Sequence, residues 1–151
     1  MTNLTVAKEV GVHTPLSTRQ VAEAWFSSLE QGRLQDAQAL LDENVVWENI
    51  PSTPGVTDFA PWLGTYQGVS AVLKSIDVWT KHARMLSFKL LRLIVDGPEV
   101  VGIVHEHAQC LANDNEYDVY VAENIRIESG KITHYRVYWD ISPLMKAFRN
   151  I

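Results

Sequence analysis

The sequence is poor in the features that mark several classes of protein. It has one cysteine, Cys110, which excludes an internal disulfide and a cysteine-rich metal site and fits a reducing cytoplasm. Its 13 basic and 18 acidic side chains give a charge of −5 with no cluster of Lys and Arg, which argues against nucleic acid as the main partner. No apolar run approaches the roughly 20 residues of a membrane span, and the N-terminus lacks the pattern of a signal peptide. We therefore expect a cytoplasmic protein that binds neither nucleic acid nor membrane.

The chain also lacks the short motifs of several enzyme classes. It has no glycine-rich phosphate loop, no Ser-His-Asp order and no HExxH helix, so we expect no cofactor and no metal. What it has in excess is aromatic side chains, with five Trp and five Tyr among 151 residues. Such rings fill a core or line a binding site.

The patterns predict helices first and then a run of long strands. Helical spacing follows a capping box at Ser17 and Gln20 and returns over 34–41 and 69–79. Alternation predicts strands over 45–48, 85–95, 100–112, 117–128 and 132–140. Because only the N-terminal helices can cover such a sheet, we predict an α+β domain: a cone-shaped, strongly curved antiparallel sheet wrapped over those helices, with an interior pocket. Residues 1–16 are interpreted as a tail and 17–151 as a single domain.

The segment 49–68 is rich in Pro and Gly, yet it carries Phe59, Trp62 and Tyr66. A loop this long in a compact domain is usually functional. Its bulky apolar side chains predict that it folds over something apolar.

Two stretches resemble the nuclear transport factor 2-like superfamily, which includes ketosteroid isomerases, scytalone dehydratase, SnoaL-type polyketide cyclases and limonene-epoxide hydrolases. Residues 46–51, VWENIP, are similar to a stretch of the epoxide-hydrolase branch, and residues 130–140, GKITHYRVYWD, are similar to the last strand of that branch and of SnoaL-like proteins. The resemblance covers roughly residues 17–149. It implies the cone fold, a small-molecule pocket that includes Trp47, Asn49 and Asp140, and commonly a homodimer.

The epoxide-hydrolase branch works with an Asp–Arg–Asp set that this chain does not retain. Val137 follows Arg136 where that branch has an Asp, and the other Arg and Asp align with His105 and His107. The resemblance therefore implies a similar pocket frame without the machinery that opens an epoxide.

Strand alternation predicts which side chains face the pocket. On 117–128 the less polar face includes Tyr117 and Glu123, and on the last strand the inner candidates are Tyr135, Val137 and Trp139.

A tight turn over 113–115 would place His105 opposite Glu123 and His107 opposite Val121, because register fixes the face that each side chain takes. An imidazole and a carboxylate together on an apolar wall can move protons near neutral pH. The same residues leave other interpretations open. The histidines also fit an outer sheet face, a dimer interface, or a zinc site with Glu123. Glu123 fits an ion pair with Arg126 or Arg136, and Asp140 fits the positive end of a helix.

The leading hypothesis is a cofactor-independent acid–base enzyme, of the isomerase, dehydratase or cyclase type, that acts on a small hydrophobic oxygenated molecule. Its catalytic residues would be His105, His107 and Glu123. The substrate-binding residues would be Trp47, Asn49, Trp62, Tyr66, Tyr117, Val137, Trp139 and Asp140. The alternatives are a protein that binds a hydrophobic ligand without chemistry and, third, an epoxide hydrolase. Outer sheet residues, expected to be Val104, Ala108, Tyr120 and Ala122, would allow a homodimer.

Overall fold

The computed structural model describes residues 16–56 and 58–150. The helices of this part are α1 (Thr18–Glu30), α2 (Leu34–Gln38), α3 (Val69–His82) and α4 (Ser142–Arg149). Its strands are β1 (Leu41–Asn49), β2 (Gly64–Gln67), β3 (Ala83–Asp96), β4 (Glu99–Cys110), β5 (Glu116–Glu128) and β6 (Lys131–Trp139). The predicted N-terminal tail lies outside the described residues, apart from Leu16. No helix of the described residues is long and apolar enough to cross a membrane.

The strands form one open, curved sheet in the order β2-β1-β6-β5-β4-β3. Strands β3 to β6 are an antiparallel meander, while β1 pairs with β6 in parallel and with β2 in antiparallel. The predicted α+β class and curved sheet over N-terminal helices are confirmed. The sequence patterns missed β2, because a strand of four residues inside a Gly- and Pro-rich segment gives no period to detect.

Helix α1 lays its apolar stripe against the sheet. The predicted capping box is present: the Gln20 side chain accepts a hydrogen bond from the Ser17 backbone N–H at 2.9 Å, and Ser17 Oγ accepts one from the Gln20 backbone N–H at 3.2 Å. This cap fixes where the helix begins. The stripe buries Val21, Trp25 and Phe26, so the cap also fixes which side chains reach the interior.

The close approach of α1 to the sheet depends on Gly102 of β4. A Cβ atom at this position would lie 2.1 Å from Cζ of Phe26. Only a residue without a side chain therefore lets the Phe26 ring rest on the strand. The contact holds α1, and with it Trp25, at a fixed height above the sheet.

The substitution Gly102→Ala is expected to lower the free energy of unfolding by about 1–3 kcal/mol, because the added methyl overpacks the Phe26 contact. Urea unfolding followed by Trp fluorescence measures the change. The double variant Gly102→Ala/Phe26→Leu should recover part of the loss, since the shorter side chain frees the space. An unchanged urea midpoint for Gly102→Ala would contradict this account of the packing.

Strands β4 and β5 meet in a register that differs from the predicted one. His105 lies opposite Tyr120, and the residue opposite Glu123 is Gly102. The reason is the connection: β4 ends at Cys110, and residues 111–115 form a five-residue loop with Asp114 in the left-handed conformation at φ 61°. The pairing is thus displaced by an odd number of residues, which exchanges the two faces of β4.

The inner face of β4 is consequently the set that was expected outside. Its buried members are Val100, Gly102, Val104, Ala108 and Cys110. The prediction that Val104 and Ala108 belong to a dimer surface is therefore wrong. Tyr120, which is 64% exposed, does lie on the outer face, and the homodimer itself stays a prediction.

Candidate functional site

A cavity of about 470 Å³ lies between α1, α3 and the inner face of the sheet. Its wall is mainly aromatic and contains all five tryptophans of the sequence: Trp25, Trp47, Trp62, Trp79 and Trp139. Tyr117, Tyr135 and Phe88 add further rings. The volume is in the range of sites that enclose a small organic ligand, so the aromatic excess of the sequence is gathered around one interior space.

The wall residues with the largest exposure mark the opening of the cavity. Leu34 is 58% and Leu86 is 40% exposed, and Glu30 and Ser87 lie beside them. Leu86 lies where the pairing of β3 with β4 shifts between Met85 and Ser87. Because a bulge turns a side chain away from the regular pleat, this irregularity shapes an apolar rim at the mouth.

The segment after β1 contributes to the wall of the cavity through Trp62. Trp139 Nε1 donates a hydrogen bond to the Ile50 carbonyl at 2.6 Å. Trp62 is buried and packs on Phe148 of α4, with ring centroids 5.4 Å apart. The prediction that this Pro- and Gly-rich segment folds over something apolar is confirmed by its buried Ala60, Trp62 and Leu63.

Glu123 is a buried carboxyl group in the floor of the cavity, with 2% of its surface exposed. The Tyr135 hydroxyl donates to Glu123 Oε1 at 2.9 Å, and Trp25 Nε1 is 3.4 Å from Oε2. Burial raises the pKa of Glu123 to about 7, although the two donors lower it. The group is therefore oriented by its neighbours and titrates near neutral pH.

Glu106 is a second carboxyl group on the same wall, contributed by the inner face of β4. Among the described residues it has no hydrogen-bond or ion-pair partner. Burial, and then the Glu123 carboxylate, raise the pKa of Glu106 to about 8. A carboxyl group in this state holds its proton at neutral pH and offers it to whatever occupies the cavity.

The two carboxyl groups together form an acid–base pair. Two negative charges in one apolar site repel each other, so the Glu123 carboxylate adds to the effect of burial and raises the pKa of Glu106 above that of Glu123. Glu123 has two hydrogen-bond donors that favour its ionised form, and Glu106 has none. At neutral pH the arrangement therefore provides a proton donor at Glu106 and an oriented acceptor at Glu123.

Tyr117 and Asn49 supply neutral polar groups to the wall. Burial raises the pKa of the Tyr117 hydroxyl, and a hydrogen bond from Trp79 only partly opposes this. The phenol thus stays protonated. A hydroxyl and an amide can orient a ligand oxygen or nitrogen without adding charge.

Most of the predicted binding residues do lie in the cavity wall. They are Trp47, Asn49, Trp62, Tyr117, Val137 and Trp139, together with the predicted catalytic Glu123. Two are elsewhere. The Tyr66 hydroxyl donates to the Trp62 carbonyl at 2.7 Å, so it stabilises the segment after β1 without lining the cavity. Asp140 is exposed and accepts a hydrogen bond from the Ser142 backbone at 2.9 Å, so its helix-start interpretation holds.

The prediction that His105 and His107 face the cavity is wrong. His105 Nε2 lies 2.8 Å from Asp118 Oδ1, and His107 Nε2 lies 3.2 Å from Glu116 Oε2, all on the outer face of the sheet. The zinc alternative fails for the same reason, because Glu123 is on the inner face.

An ion pair of Glu123 with an arginine is not formed either. Arg126 pairs with Glu99 at 2.7 Å and with Glu128, and Arg136 pairs with Glu48 at 3.0 Å. Glu123 thus carries no permanent counter-charge from these residues.

Sequence reasoning missed Glu106, although it stands between the two histidines that were selected. Alternation places Glu106 on the face opposite to that of His105 but does not say which face is inside. The length of the loop after β4 is the signal that could have shown that Glu106 faces the cavity. A five-residue connection in place of a tight turn brings Glu106 inside.

Residues 22–135 match the model of the SnoaL-like domain. The chain belongs to the SnoaL-like domain family. This SnoaL-like protein has no match among curated proteins. Its fold is shared with an NTF2-like protein of unknown function from Burkholderia pseudomallei (17% identity, 88% of this chain and 98% of that chain, TM-score 0.76). It is also shared with an LEH-like epoxide hydrolase of M. tuberculosis (16%, 88% and 90%, TM-score 0.65) and a candidate isomerase of Rhodopseudomonas palustris (18%, 91% and 99%, TM-score 0.71). At these identities the likeness concerns the fold alone, within which many chemistries occur.

Proposed function

We propose that this SnoaL-like protein is a cofactor-independent acid–base enzyme that moves a proton within a small hydrophobic molecule, as in an isomerisation, dehydration or cyclisation. The observation that carries the proposal is the presence of two carboxyl groups, Glu106 and Glu123, on one wall of an aromatic cavity. Their pKa values of about 8 and about 7 lie near the pH at which proton transfer in both directions is efficient.

In the proposed reaction the two carboxyl groups have different roles. Ionised Glu123, held by Tyr135 and Trp25, takes a proton from a carbon next to a carbonyl group. Protonated Glu106 donates to the carbonyl oxygen, so an enol forms with no net charge transferred. Return of the Glu123 proton to a different carbon, and of the enol proton to Glu106, gives the isomer and restores the enzyme. The aromatic wall excludes water and strengthens both interactions.

Deuterium uptake from D₂O into the α-carbon of 2-tetralone, followed by ¹H NMR, tests the proposal. The wild-type protein is expected to accelerate uptake by about 10²-fold or more over buffer, the range of a positioned acid–base group. The double variant His105→Ala/His107→Ala is expected to stay within about twofold of wild type, because both histidines lie on the outer face of the sheet.

Two outcomes would oppose the proposal. If Trp fluorescence shows that 2-tetralone binds while uptake stays at the buffer rate, the protein is a ligand carrier without chemistry. If the histidine variant loses the acceleration, the outer face contributes to the reaction and the assignment to the carboxyl pair is wrong.

A further inference from the structure

The charge of the cavity wall is of one sign. The acidic residues of the wall are Glu30 at the mouth and Glu106 and Glu123 inside. Among the described residues, no Lys, Arg or His lines the cavity. The Glu30 carboxylate also accepts a hydrogen bond from the Leu90 backbone N–H at 2.7 Å, which keeps it beside the opening. A ligand therefore meets acidic groups at the entrance and again at the floor, and a positive charge nowhere.

The apolar part of the wall favours the same sign of ligand charge. All five tryptophans line the cavity, and the face of an indole ring attracts a cation more strongly than any other side-chain ring. Trp25 and Trp47 meet edge to face with centroids 6.0 Å apart, and Tyr135 stacks on Trp47 at 3.6 Å. Trp25 and Tyr135 also donate to Glu123, so the aromatic surface lies directly beside the carboxyl group.

Glu106 is a carboxyl group of the wall that has no hydrogen-bond partner among the described residues. Glu106 accepts no hydrogen bond from the described residues, whereas Glu123 accepts from both Tyr135 and Trp25. A partly buried carboxyl group without a donor gains most from a ligand that brings one, and a charged N–H donor gives a stronger bond than a neutral O–H. An anionic ligand would instead place a third negative charge in a low-dielectric space.

We propose that the cavity selects hydrophobic molecules that carry a protonated amine, whose nitrogen sits between Glu106, Glu123 and the tryptophan rings. The inference rests on the proposed function only in using the same site: it names hydrophobic amines as the ligands that the cavity holds more tightly than neutral or acidic molecules, with the amine nitrogen at Glu106 in the place of the carbonyl oxygen of the proposed reaction. The nitrogen donates to Glu106, the rings of the wall hold the apolar body, and the negative mouth at Glu30 attracts the cation before it enters.

Three probes with one carbon skeleton test the selection: 2-aminotetralin as the cation, 2-tetralol as the neutral molecule and tetralin-2-carboxylate as the anion. Dissociation constants are measured at pH 7 by isothermal titration calorimetry. The amine is expected to bind at least about tenfold more tightly than the alcohol, because it adds a charge-assisted hydrogen bond and a cation–π contact. The carboxylate is expected to bind at least about tenfold more weakly than the alcohol.

The variants locate the effect. Glu106→Gln is expected to reduce the preference for the amine over the alcohol to about threefold or less, while the affinity for the alcohol stays the same. Glu116→Gln is the matched control, since Glu116 is an exposed carboxylate on the outer face, and it should keep the full preference. Binding of the amine should also release a proton from the carboxyl pair, which appears as a binding enthalpy that depends on the buffer.

Equal affinities for amine and alcohol, tighter binding of the carboxylate, or no binding of the amine would each overturn the inference. The three dissociation constants of the wild-type protein test the inference even if the Glu106 variant does not fold. The measurements involve no turnover, so they are independent of the deuterium-uptake test. If the protein exchanges 2-tetralone but shows no preference for the amine, the proposed function stands and this inference is wrong. If it prefers the amine but does not exchange 2-tetralone, this inference stands and the proposed function is wrong.

Discussion

The substitution Glu106→Gln is expected to lower the acceleration of deuterium uptake into 2-tetralone by about 10²-fold or more, the usual loss when a positioned acid or base is removed. Gln has the shape of Glu but cannot give a proton to the ligand oxygen. Since Glu106 has no partner among the described residues, its replacement breaks no internal contact. The loss should therefore appear in kcat at substrate saturation, measured by ¹H NMR.

The control for this prediction is Glu116→Gln, which makes the same chemical change on the outer face of the sheet. We expect its uptake rate to equal that of wild type within about twofold. Glu123→Gln should lose as much activity as Glu106→Gln, because the two groups act as donor and acceptor in one step. A Glu106→Gln protein with wild-type kcat would show that the carboxyl group is a spectator.

The free energy of unfolding is expected to fall as the pH rises from about 5 to about 8.5. The pKa of Glu123 is near 4.5 when exposed and about 7 in the folded protein, so the folded state binds the extra proton within this interval. A group with a raised pKa in the folded state stabilises the protein below its unfolded value, and this stabilisation is lost as the pH passes the folded value. Because a tenfold change in proton affinity corresponds to about 1.4 kcal/mol, Glu123 alone contributes on the order of 3 kcal/mol.

Urea unfolding at a series of pH values, for wild type and Glu123→Gln, checks this prediction. The neutral amide can still accept from Tyr135, so the variant should lose the part of the pH dependence that Glu123 contributes and be more stable than wild type at pH 8.5. Glu106, whose pKa is also raised by burial, keeps the remaining part. Glu48 does not interfere, because hydrogen bonding to His134 lowers its pKa and moves its effect to more acidic solutions. A wild-type stability that rises between pH 5 and 8.5 would show that the cavity carboxyl groups ionise without penalty.

Patterns in the chain were a sound guide wherever burial on the two faces of an element differs strongly. On β5 the inner face carries Tyr117, Val119, Val121, Glu123, Ile125 and Ile127, and all six are buried as the alternation predicted. The capping box at Ser17 likewise set the start of α1. Both signals are local, so no knowledge of the remaining chain was needed to use them.

The patterns failed on β4, where the two faces are similarly apolar. Val101 and Ile103 lie on one face and Val100 and Val104 on the other, so hydrophobicity does not choose between them. The choice then depended on the turn, and a loop of five residues in place of a tight turn reversed it. As a result, the site residues predicted on β4, His105 and His107, lie on the outer face, and Glu106 lies on the inner face.

The sequence by itself determined the α+β class, the succession of N-terminal helices and long strands, the aromatic excess and the inward direction of Glu123. The tertiary structure alone decided that Glu106, and neither His105 nor His107, shares the cavity with it. The physical reason is that alternation separates the two faces of a strand without saying which face is inside. That is settled by what packs on the strand, and here it is the Phe26 ring resting on Gly102 that holds α1 over the face from which Glu106 projects.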